Sequence, residues 1–149
     1  MLELEKEKRY QQLYRPEMKW INGLDNFLDK AQQNGISIAL GTAAIRFNAD
    51  FILDGLDIRK HFSSIVTAED VTVSKPHPET FLKCALQMNV EPAQCIVFED
   101  SPKGAETALN AGMKCVMLTT MHSKDEFRQF NNIICFVEDY SDKQLQALF

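Results

Sequence analysis

No run of apolar residues in this chain approaches the roughly 18 needed to span a bilayer. Nor is there a basic block or a basic helical stripe, and the net charge is -5, which argues against a nucleic-acid or membrane-surface protein. The four cysteines form no CxxC pair. Cys84 falls on an apolar helical face, while Cys95, Cys115 and Cys135 lie in strand-like runs, so all four read as reduced core residues. Internal repeats and low-complexity linkers are absent too, and no domain boundary is expected after about residue 20. The N-terminus is charged from Glu3 onward, unlike a signal peptide. These absences leave a cytoplasmic protein as the expectation, with small molecules or metal as its partners.

A chain of 149 residues that is 45% hydrophobic has the material for one domain with a real core. Met1 to Tyr14 is helix-forming and charge-laced, begins without a cap signal, and reads as the tail of a domain whose remainder lies elsewhere. Pro16 ends it, and Trp20 to Gly23 form a connector. From Leu24 the pattern is helix (Leu24 to Asn34), strand (Ile36 to Leu40), helix (Ile45 to Leu56), strand (Phe62 to Thr67), a loop to Lys75, and helix (Glu79 to Met88). The strand from Cys95, its helix, a strand Cys115 to Thr119, a polar helix near Lys124 to Phe130, a strand Ile133 to Val137 and a last helix after Ser141 complete the chain. Alternation of this kind implies an α/β fold with a parallel sheet and right-handed crossovers.

One stretch is more specific than the rest: CIVFEDSPKGAETALNAGM, Cys95 to Met113. A short apolar run breaks at two adjacent carboxylates, Glu99 and Asp100. Ser101 is a natural N-cap, Pro102 fits the first helical position, and Gly112 marks the stop. Such an edge is where open α/β folds bind ligands. Two like charges about 4 Å apart repel by about 4 kcal/mol at an effective dielectric near 20, so a positive group is expected beside them.

Two further positions fall at or beyond strand ends. Thr42, in LGTAA, reads either as the N-cap of the Ile45 helix or as a phosphate contact, its hydroxyl acting with the N–H of Ala43 and the following turn. Lys75, in SKPHP, reads either as a solvated loop residue or as an ammonium held in one place by the two prolines around His77. Glu99 and Asp100 read either as helix-dipole partners or as ligands of Mg²⁺, which takes carboxylates together with waters and phosphate oxygens. Arg46, one turn into its helix, reads as a solvated side chain or as a contact for a second anionic group.

LGT, SKPHPETF and VFEDSPKGAETALNAGM, in this order and spacing, resemble the second, third and fourth motifs of the haloacid dehalogenase superfamily, on its branch of β-phosphoglucomutase-like and phosphoglycolate-phosphatase-like enzymes. The likeness runs from about Arg15 to the end. It implies a Rossmann-like core over residues 20–149, preceded in residues 1–19 by the last helix of a helical cap and its connector. It also implies a Mg²⁺-dependent phosphohydrolase or phosphoglucomutase acting on a small phosphorylated metabolite. Thr42 and Ala43 would hold the phosphoryl group, Lys75 would stabilise nucleophile and phosphate, and Glu99 and Asp100 would hold the metal directly or through water.

The family's chemistry starts from an Asp nucleophile in a DxD motif after the first core strand, and this chain contains no DxD. That strand is central in the family, between the strand ending at Leu40 and the strand ending at Phe98. Three outcomes are expected: the two strands close on each other, a second chain fills the slot, or an upstream segment of a longer polypeptide does so. The alternative function is an inactive binding or interaction module that keeps the metal and phosphate sites. An unrelated doubly wound fold such as a receiver domain would need an acidic cluster near an early strand end, and Ile36 to Thr42 supplies none.

Overall fold

The structure, a computed structural model, describes residues 2–14 and 21–149. The ends of the N-terminal helix aside, the expectations about Pro16 and the start of the Trp20 connector therefore lie outside the described residues. In chain order the elements are α1 (Leu2–Tyr14), α2 (Leu24–Gln33), β1 (Ala39–Gly41), α3 (Arg46–Gly55), β2 (Ser64–Val66), α4 (Glu79–Met88), β3 (Ile96–Glu99), α5 (Pro102–Asn110), β4 (Lys114–Leu118) and β5 (Ile133–Val137). No helix of the described residues is long and apolar enough to cross a membrane.

All strand pairs are parallel, as the alternation implied, but the strands form two sheets. β1 pairs with β2 (Leu40 opposite Ile65), and β3–β4–β5 form the second sheet, with Phe98 opposite Val116 and Met117 opposite Phe136. Among the described residues β1 and β3 do not pair, so the chain does not close the two strands on each other. Both are half-exposed along most of their length although their side chains are apolar, whereas Cys115, Val116, Met117 and Leu118 of β4 are all buried.

Period-two alternation sends β4 into two cores. Cys115 and Met117 meet Phe81 and Ala85 of α4, Ala105 and Ala108 of α5, and Phe127. Val116 and Leu118 meet Val137, Leu145 and, from α2, Phe27. A third core joins Leu28 of α2 to Leu53 of α3 and Ile58, with Ile38, Leu40 and Ile65 packed against it. Thus α2 touches both half-sheets from one face. On the other face α4 packs on β1 and β2 and also enters the core of the β3–β5 half. The halves are joined by helices rather than by a ladder.

Two expected helices are not α-helical. Lys124–Phe127 is a single 3₁₀ turn held by a Ser123–Glu126 capping box, and Lys143–Leu148 is 3₁₀ as well. The first has Phe127 as its one buried side chain and the second has Leu145; one anchor cannot make the apolar stripe that stabilises an amphipathic helix. The strand ends shift too: β1 begins at Ala39, β2 covers Ser64–Val66, and β3 begins at Ile96 and runs one residue further, to Glu99.

Candidate functional site

The site is built where one lysine reaches both the end of β1 and the end of β3. Glu99 is the last residue of β3, and the α5 start follows the sequence pattern. Ser101 is extended and accepts the Gly104 N–H at 3.0 Å, and Pro102 takes the first turn. Lys75 arrives from the loop between β2 and α4. That loop is tied down by the Glu79 carboxylate, which accepts the N–H groups of Thr72 and Val73, and by Asn110 of α5, whose amide donates to the Pro76 carbonyl. The Lys75–Pro76 peptide is cis.

From there the Lys75 ammonium spans the two sheets. Its Nζ lies 2.7 Å from Glu99 Oε1 and 3.3 Å from the carbonyl oxygen of Gly41, the last residue of β1, and it sits 4.5 Å from the centroid of the Phe81 ring. The lysine and glutamate side chains are 10% and 15% exposed, so this ion pair is held out of bulk water, unlike the chain's surface pairs. The positive group expected beside the carboxylates is therefore Lys75, and the solvated-loop reading of that residue does not hold.

Thr42 follows Gly41 directly. Its Oγ1 accepts the Ala44 N–H at 3.0 Å, which leaves the hydroxyl proton available to donate outward, and Ala43 is exposed. Thr42 is not the N-cap of α3: that position is Ile45, extended and without a side-chain cap, and the Arg46 N–H is instead satisfied by the Glu69 carboxylate at 2.8 Å. Asp100 is exposed, and its backbone N–H donates to Glu99 Oε2 at 3.3 Å. Thr42, Lys75, Glu99 and, next in the chain, Asp100 thus gather at one edge.

Arg46 does not join them. Its guanidinium is 2.8 Å from Asp70, whose carboxyl also takes the N–H and hydroxyl of Thr67; these bonds, with Arg46, hold Asp70 below the usual carboxylate range. A carboxylate 24 residues away thus pairs with the guanidinium at a partly exposed position.

Two residues that the sequence reading did not single out also meet the site. Gly104 presses its Cα against the Glu99 carboxylate. Tyr140 stacks on Phe98 at 5.7 Å, and burial followed by the nearby charges of Glu99 and Asp100 holds its phenol above the usual range. Its turn is seated by Asn22, whose carbonyl accepts the Tyr140 N–H, and by Gly23, where a Cβ would stand 2.6 Å from the Ser141 nitrogen. Buried Cys84 and Cys115 lie close enough to Lys75 to feel its charge, but desolvation dominates and pushes their thiols up to about 11 and about 12. They stay protonated and chemically quiet at neutral pH.

The donor set fits a hard cation in part. Among the described residues no group of three or more His, Cys, Asp or Glu side chains could hold a metal. Asp100 and Glu99 supply two carboxylates, which is as many as Mg²⁺ commonly takes from protein when waters and substrate phosphate complete its shell.

Parallel half-sheets flanked by helices, with a lysine, a threonine and two acids at their carboxyl edge, define an α/β fold of Rossmann type. A model of the haloacid dehalogenase-like hydrolases matches residues 2–118. The chain belongs to that family. It is 43% identical over 79 residues to fructose-1-phosphate phosphatase YqaB of Escherichia coli (strain K12), a match covering 53% of this chain and 42% of that protein. Over 105 residues it is 36% identical to validoxylamine A 7'-phosphate phosphatase of Streptomyces hygroscopicus subsp. limoneus, covering 70% of this chain and 49% of the other. Its fold superposes on β-phosphoglucomutase from Clostridium difficile with a TM-score of 0.82 and 28% identity, over 97% of this chain and 62% of that one. The chain thus spans less than half the length of these two phosphatases.

Proposed function

We propose that this chain forms the phosphate- and metal-binding part of a phosphohydrolase or phosphomutase acting on a small phosphorylated metabolite, of the sugar-phosphate kind that several relatives are named for. The observation that carries this reading is Lys75, whose ammonium touches the end of β1 and the acid at the end of β3 at once. A phosphoryl group set against it would accept the Thr42 hydroxyl and the Ala43 N–H, with the ammonium neutralising charge as the group transfers. Asp100 would hold Mg²⁺ directly and Glu99 through water; the ion, when bound, supplies further positive charge to the phosphoryl oxygens. A cleft of about 470 Å³, bounded by Lys6, Glu7 and Tyr10 of α1 and by Thr42 and Asn48, gives the rest of the substrate room beside the phosphate. In that role α1 serves as the last helix of a cap, clasped to α3 by Asn48, which donates to Glu7 and accepts from Gln11.

The attacking carboxylate comes in this reading from one extended segment between β1 and β3, supplied by an upstream stretch or a second chain. Two half-exposed apolar strands that do not pair with each other, bridged on one face by α2 and on the other by α4, are the edges that such a segment would join. The test adds to the purified 149-residue chain, in Mg²⁺, a synthetic peptide with an apolar strand ending in Asp-x-Asp, and follows phosphate release from fructose 1-phosphate. The expected result is turnover only with the peptide, lost when its first Asp is Asn. Turnover by the chain alone that disappears in Asp100→Ala would refute the inserted-strand part. Phosphate binding without turnover in any combination would favour the binding-module reading, which the lack of a DxD in this chain supports.

A further inference from the structure

Gly104 is the third residue of α5, has ordinary helical backbone, and has no turn or left-handed conformation to explain it. Glycine in a helix is costlier than alanine because it must give up more chain freedom. A side chain here would point at one thing. A Cβ built on Gly104 would stand 2.2 Å from Glu99 Cδ, 2.2 Å from Oε2 and 2.6 Å from Cγ, distances that no packed carbon tolerates. The missing methyl is the space in which the Glu99 carboxylate lies, with its other oxygen turned 2.7 Å from Lys75. The Gly104 N–H meanwhile donates to Ser101, which fixes the helix turn so that the space cannot drift.

We infer that Gly104 is a positioning residue: its bare Cα seats the Glu99 carboxylate against the first turn of α5, and that seat aims the acid at Lys75 and sets where the ammonium stands. Glutamate has three rotatable bonds and would otherwise swing toward solvent beside Asp100, leaving Lys75 to follow it or to find another anion. The role deepens the phosphate site proposed above. The readout below needs no turnover, so it can fail without touching that proposal, and the reverse also holds.

The experiment measures acetylation of Lys75 by limiting acetic anhydride, read by mass spectrometry against the other lysines, in the wild type and in Gly104→Ala, Glu99→Ala and the double variant. Paired and largely buried, Lys75 reacts slowly in the wild type. In Gly104→Ala it is expected to react several-fold faster, approaching Glu99→Ala, while the lysines of α1 stay unchanged. With no acid left to displace, the second substitution should add nothing to Glu99→Ala. A Gly104→Ala protein that protects Lys75 as well as the wild type does, or effects that simply add, would overturn the inference. If Gly104→Ala fails to fold, the double variant decides: folding restored by removing the acid supports the seat, and failure of both shows that Gly104 is needed for some other contact.

Discussion

The two halves of the sheet are made of similar residues and are held by different means. In β3–β4–β5 the central strand is sandwiched, its inner four residues are buried, and helices α4 and α5 cover one face while α2 and the C-terminal turn cover the other. In β1–β2 each strand has three residues, β1 is only half-buried, and the links to the rest of the molecule run through α2, α4 and one lysine. A strand ladder with a dry core on both faces is stable on its own account. A two-stranded ribbon is marginal without the helices packed on it, and here that weaker half carries Thr42. The candidate site thus straddles the seam, with Thr42 on the half of least intrinsic stability and Glu99 and Asp100 on the firmer one.

The contrast is tested most severely by truncating the cores. Phe127 is 2% exposed among Met113, Phe136 and the α5 alanines, so Phe127→Ala is expected to cost about 3–5 kcal/mol, as large-to-small changes at fully buried aromatics do. Leu40, half-buried at the centre of β1, should lose only about 1–2 kcal/mol on the same truncation, since less apolar surface is removed from cover. Urea unfolding of both variants gives the comparison, and equal losses would mean that β1 is packed as tightly as β4.

The link between the halves comes next. Lys75→Met leaves the Glu99 carboxylate in a nearly closed site without its cation, at a cost of about 3 kcal/mol, the low end for a buried pair deprived of one partner. Neutralising the acid as well, in Lys75→Met/Glu99→Gln, should recover most of that loss because no uncompensated charge is left. Amide exchange adds the location: the single variant should speed exchange in β1 more than in β4. Uniform acceleration would show that the pair supports the whole fold rather than the seam.

Much of the strong half could be read along the chain, because its signals are local. Ser101, Pro102 and Gly112 delimit α5 by capping chemistry alone, and the apolar run from Cys115 reads as a strand, which the structure buries on both faces. Even the Lys75–Glu99 pair was foreshadowed by the repulsion between two adjacent acids. What stayed hidden depends on partners far apart in sequence: the fate of Arg46, set by Asp70; the seat at Gly104, whose meaning is a distance to Glu99; and Tyr140, brought in by Asn22 from 118 residues away in the chain. The split of the sheet between β1 and β3, by contrast, was legible, because the motif that should precede Thr42 is absent and the strand carrying it belongs between these two. The two C-terminal 3₁₀ segments were misread because helical composition does not report how many side chains find a core.

The smallest expected effect concerns acid. In the weaker half, Glu69 and Asp70 staple the start of α3 to the end of β2, and backbone N–H groups with Thr67 and Arg46 hold both carboxyls below their usual values. A carboxyl whose folded pKa is depressed contributes stability that is fully present above its unfolded value, near 3.8 for Asp70, and is lost as pH falls through the folded one. Acidification from about pH 5 to about pH 3 should therefore loosen the β2–α3 staple. Asp70→Asn removes one titrating group, so its urea midpoint should be lower than that of the wild type at neutral pH and should fall less over that window. Both side chains of the Arg46–Asp70 pair are more than a third exposed, which keeps the effect modest and weakens it further in salt. Identical pH slopes for the two proteins would show that Asp70 is not bonded in solution as it is in the structure, and that the β1–β2 half has even fewer fixed links than its geometry shows.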